Sequence, residues 1–291
     1  MTSPPAVSAI RRQFTFRSVG RAGHRLSVRD YPGREPAVVL LHGFPDNQDL
    51  YDRLLPHLGG RRVITFDFLG WGDSDKPADH RYTAAGQTAD IDAVTTALGL
   101  ERVVIVAHDA SGPPAIDWSR QHPDRIEMLV LLNTYYGWTA RLRRPPAIAL
   151  YSTPLLRSLG RLAATRSNRF DRWLFTWQVG RFIRDPAVRA DLVSRLYAKF
   201  PAARPAFFGL NNDLLPTVVA NRRHVDLLRR FDRPVRIIFG ANDRYLNPAV
   251  AQSFRRIFTR SELHLLPDTG HYVQVDEPAR VAELIMARST T

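Results

Sequence analysis

The chain has 291 residues, of which 44% are hydrophobic, and its formal net charge is +13. This length and apolar content suffice for a large buried core, and no apolar run reaches the roughly 18 residues of a membrane span. The chain contains no cysteine, which excludes disulfides, thiolate metal sites and a cysteine nucleophile. The first ten residues lack the basic and apolar regions of a secretory signal, so we expect a cytoplasmic location.

The excess positive charge lies in one part of the chain. Residues 135–230 contain 18 Arg or Lys and 5 Asp or Glu, whereas the remaining residues contain 23 of each kind. No zinc-ligand spacing, RNA-binding signature or leucine zipper accompanies this block, so we predict no nucleic-acid partner. We also predict no metal and no cofactor.

Strand patterns alternate with helix patterns up to residue 134. Residues 13–19 and 25–31 alternate apolar and polar side chains, which predicts a hairpin at a sheet edge. Further strands are predicted at 37–41, 62–68, 103–107 and 128–132, and helices at 50–58, 82–98 and 115–121. This alternation indicates parallel strands joined by right-handed crossovers, with helices on both faces of one sheet.

The pattern changes after residue 134. Up to about residue 231 there are helical patterns but no convincing buried strand, and this segment coincides with the basic block. The alternation then resumes with strands at 235–240 and 262–266 and helices at 248–258 and 278–287. We therefore predict a core domain of residues 1–134 and 231–291. Residues 135–230, which we name the insert, would form a helical cap over the carboxyl ends of the strands, where open α/β sheets bind ligands.

Asp109 stands at the corner between a predicted strand and a predicted helix. Such a corner is sharp and needs small neighbours, which Ala107, Ser111 and Gly112 supply. Geometry of this kind exposes a nucleophile at the edge of the sheet. An aspartate that merely caps the helix would give the same local pattern.

Two further loops place polar side chains at the same edge of the sheet. Asp243 follows the strand at 235–240, and His271 follows the strand at 262–266. Three strands thus deliver Asp, Asp and His to one rim, in the chain order nucleophile, acid, histidine. We interpret them as a catalytic triad in which Asp109 attacks carbon and His271, oriented by Asp243, activates water.

With these residues, the sequence resembles the α/β-hydrolase superfamily and, within it, the branch with an aspartate nucleophile. Epoxide hydrolases and haloalkane dehalogenases belong to that branch. The resemblance rests on residues 42–45, the loop 67–77, the corner at Asp109, Gly240 with Asp243, and Gly270 with His271. It implies an α/β-hydrolase fold, with a mostly parallel central sheet flanked by helices and an inserted helical cap. It also implies an oxyanion hole formed by the N–H groups of Phe44 and Ala110, and a cis Phe44–Pro45 bond.

The residues around the predicted nucleophile favour one substrate class. Haloalkane dehalogenases usually carry Trp directly after the nucleophile to hold the halide, but this chain has Ala110, and Phe44 offers no side-chain donor. The resemblance therefore favours an epoxide hydrolase that acts on a small apolar organic substrate and water, with a haloalkane dehalogenase as the alternative. An esterase that uses Ser111 and a binding protein without turnover are weaker alternatives. The sequence does not predict the oligomeric state.

Epoxide hydrolases use two cap tyrosines that donate hydrogen bonds to the epoxide oxygen. The resemblance places the first at Tyr151, with Tyr136 and Tyr197 as rivals. At the expected place of the second, the chain has Asn211 and Asn212 instead. The second proton donor is therefore left open.

One part of the insert combines basic and aromatic residues. They are Arg157, Arg161, Arg166, Arg169, Arg172, Trp173 and Trp177. Helices here would present arginines around an aromatic edge, a combination that suits the surface of an anionic membrane. Weak membrane association is the hypothesis for this part, and the alternative is a solvated surface whose arginines pair loosely with acids.

Overall fold

The computed structural model describes residues 13–137 and 139–288. The strands are β1 Thr15–Arg21, β2 His24–Tyr31, β3 Arg34–Leu41, β4 Arg61–Phe66, β5 Val103–Asp109, β6 Ile126–Thr134, β7 Val235–Gly240 and β8 Ser261–Leu266. The helices are α1 Ala84–Ala97, α2 Gly112–Gln121, α3 Pro146–Ser152, α4 Arg157–Arg166, α5 Asn168–Gly180, α6 Pro186–Arg222, α7 Val225–Leu228, α8 Pro248–Ile257, α9 Val273–Asp276 and α10 Pro278–Met286. Short 3₁₀ segments lie at Gln48–Tyr51, Leu55–His57 and Pro123–Arg125.

The strands form one sheet in the order β1-β2-β4-β3-β5-β6-β7-β8. The hairpin β1-β2 lies at one edge and pairs antiparallel with β4, while the other neighbours pair parallel. The central strands are nearly continuous apolar runs because helices cover both faces; in β5 every residue before Asp109 is buried. The predicted mostly parallel sheet with an edge hairpin is confirmed.

The helix predicted at 50–58 is wrong. The chain forms two 3₁₀ segments there, the first preceded by Asn47, whose side chain accepts a hydrogen bond from the N–H of Asp49. Pro56 lies in the first turn of the second segment. Because proline has no N–H and clashes with the preceding turn, Pro56 disfavours one continuous α-helix here, although the much longer α6 accommodates three internal prolines. The loose segment expected at residues 1–10 lies outside the described residues.

Helices α3 to α7 lie between β6 and β7, in the segment predicted as the insert. The domain boundaries around this segment stay a prediction. The longest helix, α6, contacts the core through Lys199, whose ammonium lies 3.3 Å from Asp49 and 2.7 Å from Asp73. The ring of Phe207 on the same helix packs edge-on against Phe44, with 5.9 Å between centroids. These contacts place α6 beside the loop that follows β3.

Across residues 13–137 and 139–288, none of the helices combines the length and the apolar character needed to cross a bilayer.

Candidate active site

Asp109 ends β5 and lies in a tight turn before α2. Its φ of 51° falls in the left-handed region, which residues other than glycine seldom adopt. The first residue of α2, Gly112, packs so closely that an added Cβ would collide with the Thr134 hydroxyl and lie 2.9 Å from the Tyr135 carbonyl oxygen. The strained corner predicted from small neighbours is therefore present.

The hydroxyl of Ser111 belongs to the structure of this turn. It lies 2.9 Å from the N–H of His108, from which it accepts, and it approaches the carbonyl oxygens of Leu41 at 2.9 Å and His108 at 2.8 Å. The side chain is fully buried. A hydroxyl held in this way is poorly placed to act as the nucleophile of an esterase.

The two oxygens of the Asp109 carboxylate face different groups. The N–H of Phe44 donates to Oδ2 at 3.4 Å, and the N–H of Ala110 also interacts with the carboxylate. The other oxygen, Oδ1, lies 3.9 Å from Nε2 of His271. Gly43 permits this approach, since an added Cβ would lie 2.6 Å from the Asp109 Cβ. The Phe44–Pro45 bond is cis, as the resemblance implied.

Asp243 and His271 form a buried pair. Nδ1 of His271 lies 2.8 Å from Oδ2 of Asp243. The Asp243 carboxylate also accepts from the N–H groups of Tyr245 at 2.8 Å and Leu246 at 3.1 Å, and from the amide of Asn133 at 3.0 Å. Burial alone would raise the pKa of Asp243, but His271 and these donors outweigh it and lower the pKa. Asp243 is therefore ionised at neutral pH.

The charges around His271 set its protonation state. Burial alone would lower the pKa of the imidazole. The negative charge and hydrogen bond of Asp243, with the charges of Asp109 and Asp46, outweigh burial and raise this pKa to about 9. Burial has the opposite consequence for Asp109, whose pKa is raised despite the neighbouring His271. While Asp109 carries its negative charge, His271 holds a proton at neutral pH.

A second buried pair, His108 with Asp46, lies beside the predicted triad, and neither residue was predicted as a site residue from the sequence. The ring of His108 lies 4.7 Å from that of His271 between centroids, and its Nε2 is 3.1 Å from the His271 carbonyl oxygen. Burial lowers the pKa of His108 well below its usual value, so the ring is neutral. Its Nδ1 lies 3.9 Å from Oδ2 of Asp46, which accepts from the Tyr272 hydroxyl through Oδ1. Burial, with the charge of Asp109, raises the pKa of Asp46 to about 7.

The sequence carried signals for this pair and for Asn133. Asp46 directly follows the residues 42–45, and His108 is a polar side chain at the end of a buried apolar run. Asn133 likewise lies near the end of a buried strand, where its amide bridges Asp243 and the N–H of Gly240 at 2.9 Å. Buried polar side chains at strand ends require partners, which is the physical reason to examine them.

A cavity opens onto Asp109 and His271. Most of its lining surface is apolar, and Tyr135, the residue after β6, is among the lining residues. Burial, with the charge of Asp109, raises the pKa of Tyr135 well above its usual value, so the hydroxyl keeps its proton. Gln178 of α5 lines the same cavity, is only 7% exposed, and its side-chain carbonyl finds no partner among the described residues. The cavity thus offers an apolar volume with few polar contacts.

The predicted cap tyrosines lie elsewhere. Tyr151 lines a smaller cavity, and its ring packs 5.1 Å from that of Phe207, because α3 packs against α6. The hydroxyl of Tyr136 bonds Asp117 at 2.7 Å, and that of Tyr197 approaches Asp171 at 3.2 Å. None of the three predicted tyrosines is among the residues found to line the cavity at Asp109, whereas Tyr135 is.

Of the two asparagines considered as substitutes, Asn211 bonds within α6 and Asn212 bonds α4. The buried amide of Asn211 donates to the Phe207 carbonyl oxygen at 2.8 Å, and the Asn212 carbonyl accepts from Arg157 at 3.3 Å. Within the described parts of the chain, neither asparagine is found in the lining of the cavity at Asp109. The cap proton donor stays a prediction.

The comparison with protein families agrees with this architecture. The model of a family described as alpha/beta hydrolase fold matches residues 36–278. The chain belongs to the α/β-hydrolase family. The superfamily that the sequence implied is thereby confirmed, while the roles of individual residues in this α/β-hydrolase stay predictions.

Individual relatives of this α/β-hydrolase differ in activity. A haloalkane dehalogenase of Mycobacterium marinum is 30% identical over 275 residues, covering 89% of this chain and 86% of the relative. The mouse sn-1-specific diacylglycerol lipase ABHD11 is 25% identical over 253 residues, covering 84% and 77%. The crystal structure of the haloalkane dehalogenase DatA from Agrobacterium tumefaciens superposes with a TM-score of 0.79 at 23% identity, covering 94% of each chain. This last likeness concerns the fold alone.

Proposed function

We propose that this α/β-hydrolase opens an epoxide to a diol through a covalent ester on Asp109. The observation that carries the proposal is the different surroundings of the two Asp109 carboxylate oxygens. One oxygen faces the N–H of Phe44, and the other faces His271. A carboxylate in this position can attack an electrophilic carbon, and its second oxygen already lies where an oxyanion would be stabilised. The apolar cavity suits a small organic substrate.

In the first step, Oδ1 of Asp109 attacks an epoxide carbon. A carbon–oxygen bond of the ring breaks, and the released oxygen takes a proton. Tyr135 is the proposed donor, because it is among the residues that line the cavity and because burial and the charge of Asp109 raise its pKa and keep it protonated. The product of this step is an alkyl ester on Asp109, which divides the hydrolysis into two easier reactions.

Before the second step, the protonated imidazole of His271 returns a proton to Tyr135 and becomes neutral. Water then attacks the ester carbonyl while Nε2 of His271 takes one of its protons, and Oδ2 becomes an oxyanion facing the N–H groups of Phe44 and Ala110. The intermediate collapses by breaking the ester bond to the alkoxide, which takes the second proton of the water. The diol leaves, Asp109 is again a carboxylate and His271 is again protonated, so the sum of both steps is epoxide plus water to diol. Each such donor lowers the activation free energy of this kind of step by about 2.7 to 4 kcal/mol.

A haloalkane dehalogenase is the second candidate, because a relative with that name is 30% identical to this chain. The same attack by Asp109 would then expel a halide instead of an alkoxide. Ala110 and Phe44 offer no side-chain N–H to hold that halide, which ranks this candidate below the epoxide hydrolase. An esterase ranks lower still, since the Ser111 hydroxyl is held inside the turn.

The ester mechanism predicts where the oxygen of water goes. We expect that a single turnover of 1,2-epoxyoctane by excess enzyme in ¹⁸O-water gives unlabelled diol and labels the Asp109 peptide, because water attacks the carbonyl of the ester. Mass spectrometry of both products measures this. Labelled diol in the first turnover would contradict a covalent step.

Two controls accompany this experiment. The Asp109→Asn variant should form no diol once deamidation has been excluded, whereas His57→Gln, a change at an exposed histidine, should behave as wild type. Parallel assays with 1-chlorobutane and simple esters measure halide and acid release. Halide release without diol formation would establish the second candidate instead.

A further inference from the structure

The first helices of the insert carry an exposed apolar surface. Six of the eleven large hydrophobic side chains that are exposed in the described chain lie between residues 155 and 177. They are Leu155, Leu156, Leu159, Leu162, Trp173 and Trp177, with Leu155 at 88% exposure and Trp173 at 59%. Together with the exposed Arg166, Arg169 and Arg172, these side chains define what we name the α4–α5 surface.

On α5 the basic and aromatic residues share one face of the helix. Arg169, Arg172, Trp173 and Trp177 are separated by three or four residues, the spacing that brings side chains to the same side. The Trp173 and Trp177 rings are nearly parallel, with centroids 6.4 Å apart. The opposite face of α5 is buried and includes Phe175. The Arg and Trp side chains are therefore turned away from the protein interior.

The positive charge of this surface is uncompensated. Arg166, Arg169 and Arg172 form no ion pair with any residue of 13–137 or 139–288. The guanidinium of Arg172 lies 5.5 Å above the ring of Tyr197, which leaves its charge unneutralised. The sequence had allowed a surface whose arginines pair loosely with acids, and these three do not fit that alternative.

The carboxylates of the insert are engaged elsewhere. Asp171 pairs with Arg204, Asp185 caps α6, Asp191 pairs with Arg195, Asp213 accepts from the Ala84 N–H, and Asp226 pairs with Arg229. These are all the acidic residues of the insert. No carboxylate of the insert is therefore left to neutralise the α4–α5 surface.

Two arginines of the original hypothesis do not contribute to this surface. Arg157 donates to the Asn212 side chain at 3.3 Å, and Arg161 donates to the Phe208 carbonyl oxygen at 3.2 Å. Both guanidinium groups thus bind α6. The outward charge is restricted to Arg166, Arg169 and Arg172.

We propose that the α4–α5 surface docks on an anionic lipid bilayer. Leucines and indole rings gain free energy when they enter the boundary between headgroups and acyl chains, and unpaired guanidinium groups beside them bind lipid phosphates and carboxylates. A second copy of this chain fits the same surface poorly, since it would bring like charges together. The proposal is independent of the reaction at Asp109, because the residues that form the surface are not among those found to line its cavity.

Cosedimentation with vesicles tests the charged part of the surface. We expect binding to phosphatidylcholine vesicles with about 30 mol% phosphatidylserine at low salt, weak binding to phosphatidylcholine alone, and release at about 1 M salt. Removing the three charges in the variant Arg166→Gln/Arg169→Gln/Arg172→Gln should weaken binding by about fivefold per residue, on the order of 100-fold in total.

A matched variant distinguishes the effect of charge on the α4–α5 surface from the effect of the overall net charge on vesicle binding. Arg223→Gln/Arg255→Gln/Arg256→Gln removes three exposed arginines outside the surface and lowers the net charge equally. We expect this variant to bind as wild type does, and thermal melting followed by circular dichroism confirms that both variants are folded. Equal loss of binding in the two variants would contradict a localised docking surface.

Substitution of Trp173 and Trp177 tests the apolar part of the α4–α5 surface. Vesicle binding should shift the tryptophan fluorescence to the blue, and Trp173→Ala/Trp177→Ala should remove that shift and weaken binding by roughly tenfold or more. Analytical ultracentrifugation without lipid examines the rival occupant. A dimer that the tryptophan variant dissociates, or binding to phosphatidylserine vesicles no better than to neutral ones, would overturn the proposal.

Discussion

At the scale of single residues, Asp109 and His271 are coupled through charge. The imidazole pKa of about 9 depends in part on the negative charge of Asp109, which lies 3.9 Å away. When Asp109 becomes an ester, that charge disappears and the pKa of His271 falls. The proposed first step would thereby convert His271 from an acid into the base that the second step needs.

This coupling predicts the pH dependence of ester hydrolysis. The rate should rise with pH as His271 loses its proton, and its apparent pKa should lie below the resting value of about 9, because the ester is neutral. Rapid quenching from about pH 6 to about pH 10, with mass spectrometry of the Asp109 peptide, measures the rate over the range where histidine titrates. Nuclear magnetic resonance of His271 in the free enzyme gives the resting pKa.

A variant isolates the contribution of the imidazole. His271→Gln should accumulate the ester, and the slow remaining hydrolysis should lose the pH dependence seen in wild type, since glutamine does not titrate. An apparent pKa for hydrolysis equal to or above that of the free enzyme would contradict the coupling of His271 to Asp109.

The predicted triad residues come together because strand ends fix their positions. Asp109 ends β5, while Asp243 and His271 follow β7 and β8, and parallel strands bring residues at their carboxyl ends to one edge of the sheet. Tyr151 could not be placed in this way, because its direction depends on how α3 packs against α6. Tyr135 follows β6 at the same edge as the triad, so the rule that located the triad also applies to it.

At the scale of elements, hydrophobic pattern predicted the strands and most helices but not the segment after β3. The residues 50–58 have helical spacing, yet Pro56 and the Asn47 turn divide them into two 3₁₀ segments. A partly buried ion pair at this place adds to the effect, because Asp49 binds Arg29 at 2.6 Å. Such tertiary partners override local propensity, and no window of sequence contains them.

The junction of β5 and α2 leaves no room for a side chain at Gly112. Gly112→Ala should lower the free energy of unfolding by about 1 to 3 kcal/mol, because its Cβ would collide with Thr134 and force the turn to move. Denaturant unfolding measures the loss. Gly59→Ala is the matched control, since an added Cβ meets no atom within 4 Å there, and we expect a change within about 0.5 kcal/mol. Equal stability of the two variants would show that the turn tolerates a side chain.

At the scale of the whole molecule, charged contacts join the insert to the core. Lys199 on α6 lies between Asp49 and Asp73, at 3.3 Å and 2.7 Å. Arg195, one turn earlier, pairs with Asp52 at 2.7 Å. Asp49 is the most buried of these carboxylates, with 10% of its side chain exposed, so water screens this contact less than an ordinary surface pair. The basic insert thus binds acidic residues of the core.

Removing these contacts should lower the stability of the protein. We expect Arg195→Gln/Lys199→Gln to lower the free energy of unfolding by about 1 kcal/mol at low salt, because the carboxylates of Asp49, Asp52 and Asp73 lose these cationic partners. The difference from wild type should shrink at about 1 M salt, where such attractions are screened in both proteins. Arg229→Gln is the control: it directly follows α7, and its pair with Asp226 of that helix is largely exposed, so its removal should change stability by less than about 0.5 kcal/mol. Urea unfolding at both salt concentrations measures all three proteins, and a loss that persists unchanged in high salt would mean that packing of the two side chains, rather than charge, holds α6 against the core.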